Sequence, residues 1–225
     1  MFVHLDHAPL IDLEAITSDS GRLYVTPDGN KYPSVTTVIG ATSKKSILEW
    51  RKRVGEKEAN RISSRAASRG TYLHSMNEDY LNNIFNEEKY KDKVLPLFMF
   101  KHLKPFLNKI NNIHVLEGAL YSDRLKLAGR VDCIAEYENE LAIIDFKSST
   151  EPKKREWIEN YIAQECAYAM MYYERTGIKV KKLVTLIACE DGEIQVFQEY
   201  DIMKYMNVLM EYIKEWNTQN SMSLQ

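Results

Sequence analysis

An apolar run from Leu141 to Ile144, ending in Asp145-Phe146-Lys147, is the segment that most constrains the fold of this chain. Four apolar residues in a row, bounded by polar ones, predict a buried strand. Because side chains alternate along a strand, Asp145 and Lys147 should share one side while Phe146 points to the other. The pattern therefore predicts a carboxylate and an ammonium group side by side at the end of a buried strand.

A second carboxylate, Asp132, lies upstream in another strand-like run, Val131 to Ile134. Two carboxylates held close together repel each other unless a cation lies between them. The pair therefore indicates a metal site more than general acid–base chemistry. Carboxylate oxygens are hard ligands, which suit Mg²⁺ or Mn²⁺.

The composition is that of an ordinary globular protein, with 44% hydrophobic and 28% charged residues among 225. We predict a single domain over 1–225, with a hairpin and basic helices in 1–110 and a catalytic sheet with helices in 111–225. No apolar run reaches the ~18 residues needed to cross a membrane, so no membrane partner is expected. The acidic segment from Met1 to Ser20 is typical of neither a secretory signal nor a mitochondrial transit peptide.

The three cysteines, Cys133, Cys166 and Cys189, are scattered in apolar contexts. They predict buried thiols of a reducing compartment and offer no Cys-x-x-Cys metal spacing. An iron–sulfur cluster, which needs four ligands, is not expected. The chain also lacks the Gly-x-x-x-x-Gly-Lys-[Ser/Thr] phosphate loop, so no nucleotide cofactor is expected.

A basic segment, Lys44 to Arg69, holds nine basic residues against three acidic ones and so carries +6 in a chain of net charge −2. The ordinary explanation of such a run is a solvated helix face. Because this one leads directly towards His74, we interpret it as a phosphate-facing surface. Arg61, Arg65 and Arg69 are its candidate phosphate contacts.

The order of elements predicts an α/β fold with a mixed central sheet flanked by helices and a helical N-terminal extension. A hairpin is expected around Pro27-Asp28-Gly29-Asn30. The predicted helices are Ser46–Gly55, which starts with a capping box, then 56–82, 94–110, 157–176 and 202–216. The predicted strands are 113–121, 126–137, 140–146, 183–189 and 194–198.

Further motifs extend the two carboxylates into a constellation. In chain order it reads Gly70-x-x-x-His74, Asp132, Asp145-x-Lys147 and Gln164-x-x-x-Tyr168. Each element alone has a plain explanation, such as a core histidine or an aromatic packing stripe. Together, from about Ser34 to the last strand, they resemble the RecB-like branch of the PD-(D/E)XK nucleases. Among compact members of that branch, the chain is most similar to mitochondrial genome maintenance exonucleases and their phage and bacterial relatives.

This resemblance implies roles for the site residues. Asp132 and Asp145 would bind one or two Mg²⁺ or Mn²⁺ ions, together with the backbone carbonyl of Phe146. His74 would bind a second metal or complete the shell. Lys147 would orient the attacking water or help to deprotonate it.

The resemblance also implies substrate contacts. Gln164 and Tyr168, one turn apart on a predicted helix, would hold DNA near the scissile bond. Ser34, Thr36 and Arg69 would line a channel together with the other basic residues. Since phosphate contacts read no sequence, such a channel implies low sequence specificity.

The implied activity is that of a metal-dependent DNA exonuclease that needs a free end and prefers single strands, in replication, repair or recombination. A structure-specific or flap endonuclease of the same fold is the first alternative. The others are a non-catalytic DNA-end-binding module and an α/β protein with coincidental motifs. Replication or recombination proteins are possible partners, and the expected location is the cytoplasm of a bacterial cell or a phage-infected host.

Overall fold

The computed structural model describes residues 1–5, 10–18 and 21–222. The strands are β1 (Glu14–Ser18), β2 (Gly21–Val25), β3 (Lys31–Pro33), β4 (Ile110–Ser122), β5 (Leu127–Tyr137), β6 (Glu140–Ser149), β7 (Lys182–Cys189) and β8 (Ile194–Glu199). The helices are α1 (Val35–Ala41), α2 (Lys44–Val54), α3 (Glu56–Leu81), α4 (Val94–Leu107), α5 (Glu159–Thr176) and α6 (Ile202–Met222). No helix among these residues is long and apolar enough to cross a membrane.

The central sheet has the strand order β4-β5-β6-β7-β8, in which β6 and β7 are parallel and the other neighbours antiparallel. Helix α5 makes the crossover between the two parallel strands, as such a connection requires. A second, antiparallel sheet joins β1, β2 and β3. The predicted α/β fold with a mixed sheet flanked by helices is confirmed.

Helices cover both faces of the central sheet. Ile143 belongs to a buried cluster with residues of α1, α5 and α6. Its neighbour Ile144 belongs to a second cluster with residues of α3 and α4. This alternation explains the continuous apolar run of β6, because a strand covered on both faces buries every side chain.

The structure corrects one sequence prediction near the N-terminus and adds two elements. Helix α2 begins at Lys44, so Ser46 lies inside it and the predicted capping box is wrong. Its end before Gly55, which has a φ of 86°, is as predicted. Helix α1 was not predicted, because Val35-Thr36-Thr37 is a β-branched run with weak helix propensity. Strand β1 was not predicted either.

Candidate active site

Asp145 and Lys147 lie side by side in the C-terminal half of β6, as the strand alternation predicts, and their side chains form an ion pair. Asp145 is only 2% exposed. Gln164 on α5 donates a hydrogen bond from Nε2 to Asp145 Oδ1 over 3.3 Å. The side chain of Phe146 points to the opposite face and packs in the cluster that contains α3 and α4. The parallel crossover therefore brings α5 directly over the carboxylate of β6.

The electrostatics of this pair keep Lys147 positively charged. Burial lowers the pKa of Lys147, but the carboxylates of Asp145, Asp132 and Glu165 outweigh it and raise the pKa overall. Burial raises the pKa of Asp145, and Lys147 opposes that shift. At neutral pH the site thus holds a fixed ammonium group, whose Nζ also lies 5.1 Å from the centroid of the Tyr161 ring.

Asp132 on β5 is tied to the Asp145 strand through the backbone. The N–H of Phe146 donates to Asp132 Oδ2 over 2.8 Å. Regular pairing between β5 and β6 stops at the pair Cys133–Ile144. These residues are the immediate sequence neighbours of Asp132 and Asp145. The strands therefore diverge where the carboxylates begin, and this contact fixes Asp132 beside the end of β6.

His74 on α3 forms a candidate metal site together with Asp132 and Glu117. Its Nδ1 lies 3.7 Å from Glu117 Oε1 and 3.7 Å from Asp132 Oδ2. One ligand atom from each of the three residues lies within 4.8 Å of the others. An imidazole nitrogen with two carboxylate oxygens is a donor set that suits Mn²⁺ or Mg²⁺.

Glu117 is the site residue that sequence reasoning missed. It lies in β4 between Leu116 and Gly118, which pair with Cys133 and Val131 on either side of Asp132. Its φ of 49° is in the left-handed region that non-glycine residues rarely adopt. Sparsely populated backbone conformations of this kind concentrate at functional sites. The only sequence signal is its place one strand before Asp132.

The pKa of His74 follows from these carboxylates. Burial alone lowers it, but Asp132 and Glu117 outweigh burial and raise the pKa to about 9. The same negative charge that stabilises the imidazolium would attract a divalent cation. A metal ligand must be a neutral imidazole, so a bound cation would displace the proton.

Glu165 is a second buried carboxyl group that the sequence did not reveal. It is fully buried on α5, and its Oε1 accepts a hydrogen bond from the hydroxyl of Thr185. Thr185 is the cross-strand partner of Asp145. Glu165 Oε2 has no hydrogen-bond partner among the described residues. Burial, followed by the nearby Asp145, raises the pKa of Glu165 well above its usual value.

The structure gives the predicted arginine contacts carboxylate partners. Arg61 donates two hydrogen bonds to Glu58, of 2.8 and 2.7 Å. Arg65 pairs with Glu190 over 2.7 Å, and the buried Arg69 also pairs with it. Arg69 donates from Nε to Ser148 Oγ over 3.1 Å, which fixes α3 to the end of β6. To bind DNA, each of these arginines would have to leave its carboxylate partner or contact the carboxylate and a phosphate at the same time.

The remaining predicted DNA contacts differ in accessibility. Thr36 is exposed, whereas Ser34 is buried and caps α1 by accepting a hydrogen bond of 3.0 Å from Thr37 N–H. Tyr168 is 3% exposed, and its hydroxyl packs where a Cβ on residue 129 would lie, at 2.8 Å. Gly129 is therefore required by the close approach of the tyrosine. Tyr168 contacts the strand that carries Asp132.

Comparisons with known proteins identify the family to which this chain belongs. Residues 42–204 match the model of the PD-(D/E)XK nuclease superfamily. The chain is similar to Mitochondrial genome maintenance exonuclease 1 from Homo sapiens, with 26% identity over 85% of this chain and 61% of that protein. The Mus musculus protein of the same name is 28% identical over 78% of this chain and 55% of its own length. The chain thus spans between 55% and 61% of these relatives.

A solved structure from Eubacterium rectale aligns with a TM-score of 0.47 at 12% identity, over 65% of this chain and 64% of its own. That likeness is too remote to inform function.

Proposed function

The chain belongs to the PD-(D/E)XK nuclease superfamily, and from this premise we propose that it is a metal-dependent exonuclease that hydrolyses phosphodiester bonds of DNA. The observation that carries the proposal is the convergence of His74, Glu117 and Asp132 beside the Asp145–Lys147 ion pair. Four elements, α3, β4, β5 and β6, bring these side chains together at the central sheet. The carboxylates leave an excess of negative charge that a divalent cation would neutralise.

Each residue has a role in this proposal. His74, Glu117, Asp132 and Asp145 would hold Mg²⁺ or Mn²⁺, with the carbonyl of Phe146 as a further ligand. When bound, such an ion supplies a hydroxide nucleophile at neutral pH and offsets charge on the phosphoryl oxygens.

Lys147 would orient the attacking water or help to deprotonate it, and would offset the negative charge of the phosphoryl group. Gln164 positions Asp145 through its 3.3 Å hydrogen bond. Tyr168 packs against Gly129 of β5, the strand that carries Asp132.

The exonuclease assignment and the preference for single strands rest on the basic segment. It ends where Arg69 contacts Ser148 at the active-site end of β6. Most of its side chains are exposed, including Lys52, Arg53 and Lys57. A charged helical segment at this position would narrow the entrance and admit a single strand from its end. The human and mouse relatives are both named exonucleases.

A flap or structure-specific endonuclease would use the same catalytic residues, and a non-catalytic end-binding module would keep the DNA contacts alone. Linear and circular single-stranded DNA of equal length separate all three. We expect Mn²⁺-dependent degradation of the linear strand and survival of the circle. Equal degradation of both would favour the endonuclease, and binding of linear DNA without cleavage would favour the end-binding module.

We further propose a place in DNA replication, repair or recombination, with proteins of those processes as partners. A cytoplasmic location in a bacterial cell or a phage-infected host stays a prediction from the sequence. The relatives reported above are vertebrate proteins. Iron–sulfur and nucleotide cofactors have no part in the proposed reaction.

A further inference from the structure

An open groove of about 450 Å³ lies between β3, the turn from β4 to β5, and α6. Its lining includes the cations Lys31, Arg124 and Lys126 and the apolar side chains of Met210 and Trp216. None of these residues belongs to the active site described above. We call it the α6 groove.

The cations of the α6 groove have no carboxylate partner in the part of the chain that the structure describes. Within the described residues, no hydrogen bond or ion pair joins Lys31 or Arg124 to an acidic side chain. Among the described residues, Lys126 lies 3.4 Å from the Tyr32 hydroxyl and over the face of that ring. The nearby Asp123 is already bound by Tyr32 at 2.9 Å and by Arg175 at 3.1 Å. The groove therefore presents positive charge that an anionic ligand would neutralise.

The apolar side of the groove offers flat and flexible contact area. Trp216 is half-buried, and Met210 is 47% exposed. Cations beside an accessible aromatic ring are the arrangement by which proteins hold single-stranded nucleic acid, since phosphates meet the charges and bases stack on the ring. A simple anion would make no use of Trp216 or Met210.

The groove lies at the active-site end of the central sheet. Leu127, in its lining, begins β5, and Asp132 follows five residues later, roughly 17 Å along the strand. β5 and β6 are antiparallel, so β5 begins on the side of the sheet towards which β6 runs past Asp145 and Lys147. The Nζ of Lys44, the first residue of the basic segment, lies 5.9 Å from the centroid of the Trp216 ring. Positive charge thus continues from the basic segment into the groove.

We propose that the α6 groove is a remote binding site for the single DNA strand whose end is cleaved in the active site. The inference rests on the proposed nuclease function and extends it, because it assigns contacts well away from the scissile bond. Lys31, Arg124 and Lys126 bind phosphates, and Trp216 stacks on a base. Only a strand long enough to span both sites gains from these contacts.

The test compares affinity for labelled DNA strands of about 4 and about 16 nucleotides, which bracket the known site sizes of single-strand binders. Anisotropy in EDTA measures binding without hydrolysis. The charge variant combines Arg124→Gln and Lys126→Gln. Its matched control combines Lys179→Gln and Lys181→Gln, two exposed cations before β7 at the opposite end of the sheet.

We expect the charge variant to bind the long strand with a salt dependence weaker by about 1.4 in the logarithmic slope, since each phosphate contact on a single strand contributes about 0.7. Trp216→Leu should weaken long-strand binding at least about fivefold, and Trp216→Phe should restore most of it. The variants should bind the short strand with the affinity of the unaltered protein. The control variant should bind both strands with that affinity.

Two outcomes would overturn the proposal. If the charge variant and Trp216→Leu bound the long strand as tightly as the control, with an unchanged salt slope, the groove would not bind DNA. The proposed nuclease function would survive that result, because cleavage and short-strand binding do not involve the groove. If the unaltered protein bound neither strand and cleaved no DNA, the proposed function and the groove would fail together.

Discussion

Charged side chains are buried or half-buried in the active site of the central sheet, whereas most of those in the basic segment are exposed. At the sheet end, Asp145 is 2% exposed and is fixed by contacts from Lys147 and Gln164. In the basic segment, α2 has no buried residue. Buried charges act at full strength on one another because little water screens them, whereas exposed charges are screened and add up only over many contacts. In the proposed function, the first region carries out the chemistry and the second captures the substrate.

The largest effect should come from the buried cation. Lys147→Ala removes the ammonium group from the reaction centre but leaves the carboxylates, so turnover should fall by a factor of ~10² or more while DNA affinity changes little. Single-turnover cleavage and anisotropy measure the two separately. Lys181→Ala, at the far end of the sheet, is the control. If Lys147→Ala retained most of its activity, the proposal that the buried charges carry out the chemistry would be wrong.

The next effect tests the residue that the sequence did not reveal. Glu117→Gln removes one negative charge from the set formed with His74 and Asp132, so half-maximal activity should require at least about tenfold more Mn²⁺. Activity at saturating Mn²⁺ should recover to a large extent. A Mn²⁺ titration of cleavage decides the point, and an unchanged midpoint would exclude Glu117 from the metal site.

A smaller, salt-dependent effect is expected in the exposed region. Lys52→Gln combined with Arg53→Gln removes two cations that have no carboxylate partner among the described residues. DNA affinity should fall a fewfold at low salt, and the logarithmic salt slope should weaken by about 1.4. Turnover at saturating DNA should stay the same. A change in turnover with no change in affinity would assign these residues to the chemistry instead.

The smallest effect on activity, and a clear one on stability, is expected at Glu165. Its pKa is raised by burial, so the folded protein binds this proton more tightly than the unfolded chain does. Stability should therefore decline as pH rises above the usual value of 4.5 towards the higher pKa of the folded state. Glu165→Gln should flatten that decline in urea unfolding in EDTA. The exposed Glu211→Gln is the control, and an unchanged slope in Glu165→Gln would show that the buried carboxyl does not titrate as expected.

The sequence was most informative where local rules dominate. The apolar run of β6 and the alternation around Phe146 predicted both the strand and the shared side of Asp145 and Lys147. Helix α3, predicted over 56–82, runs from Glu56 to Leu81 and carries His74 as expected. These features depend on periodicity, which the sequence displays directly.

The remaining features depend on contacts between distant segments. Glu117 reaches the site because β4 pairs with β5, which brings it opposite Asp132, and because its own backbone is left-handed. Arg69 looked like a phosphate contact, yet Glu190, far along the chain, pairs with its guanidinium group. Glu165 follows the predicted Gln164 in the sequence. Its hydrogen-bond partner, however, is Thr185 of β7, the cross-strand partner of Asp145. No periodicity reports such pairings.

The most direct test of the account is cleavage of linear single-stranded DNA by the unaltered protein and by Asp145→Asn, in EDTA and after addition of Mn²⁺ or Mg²⁺. The account predicts no cleavage in EDTA, recovery with either cation, and no cleavage by Asp145→Asn although it still folds and binds DNA. Robust cleavage in EDTA, or full activity of Asp145→Asn, would contradict a metal-dependent site at the end of β6.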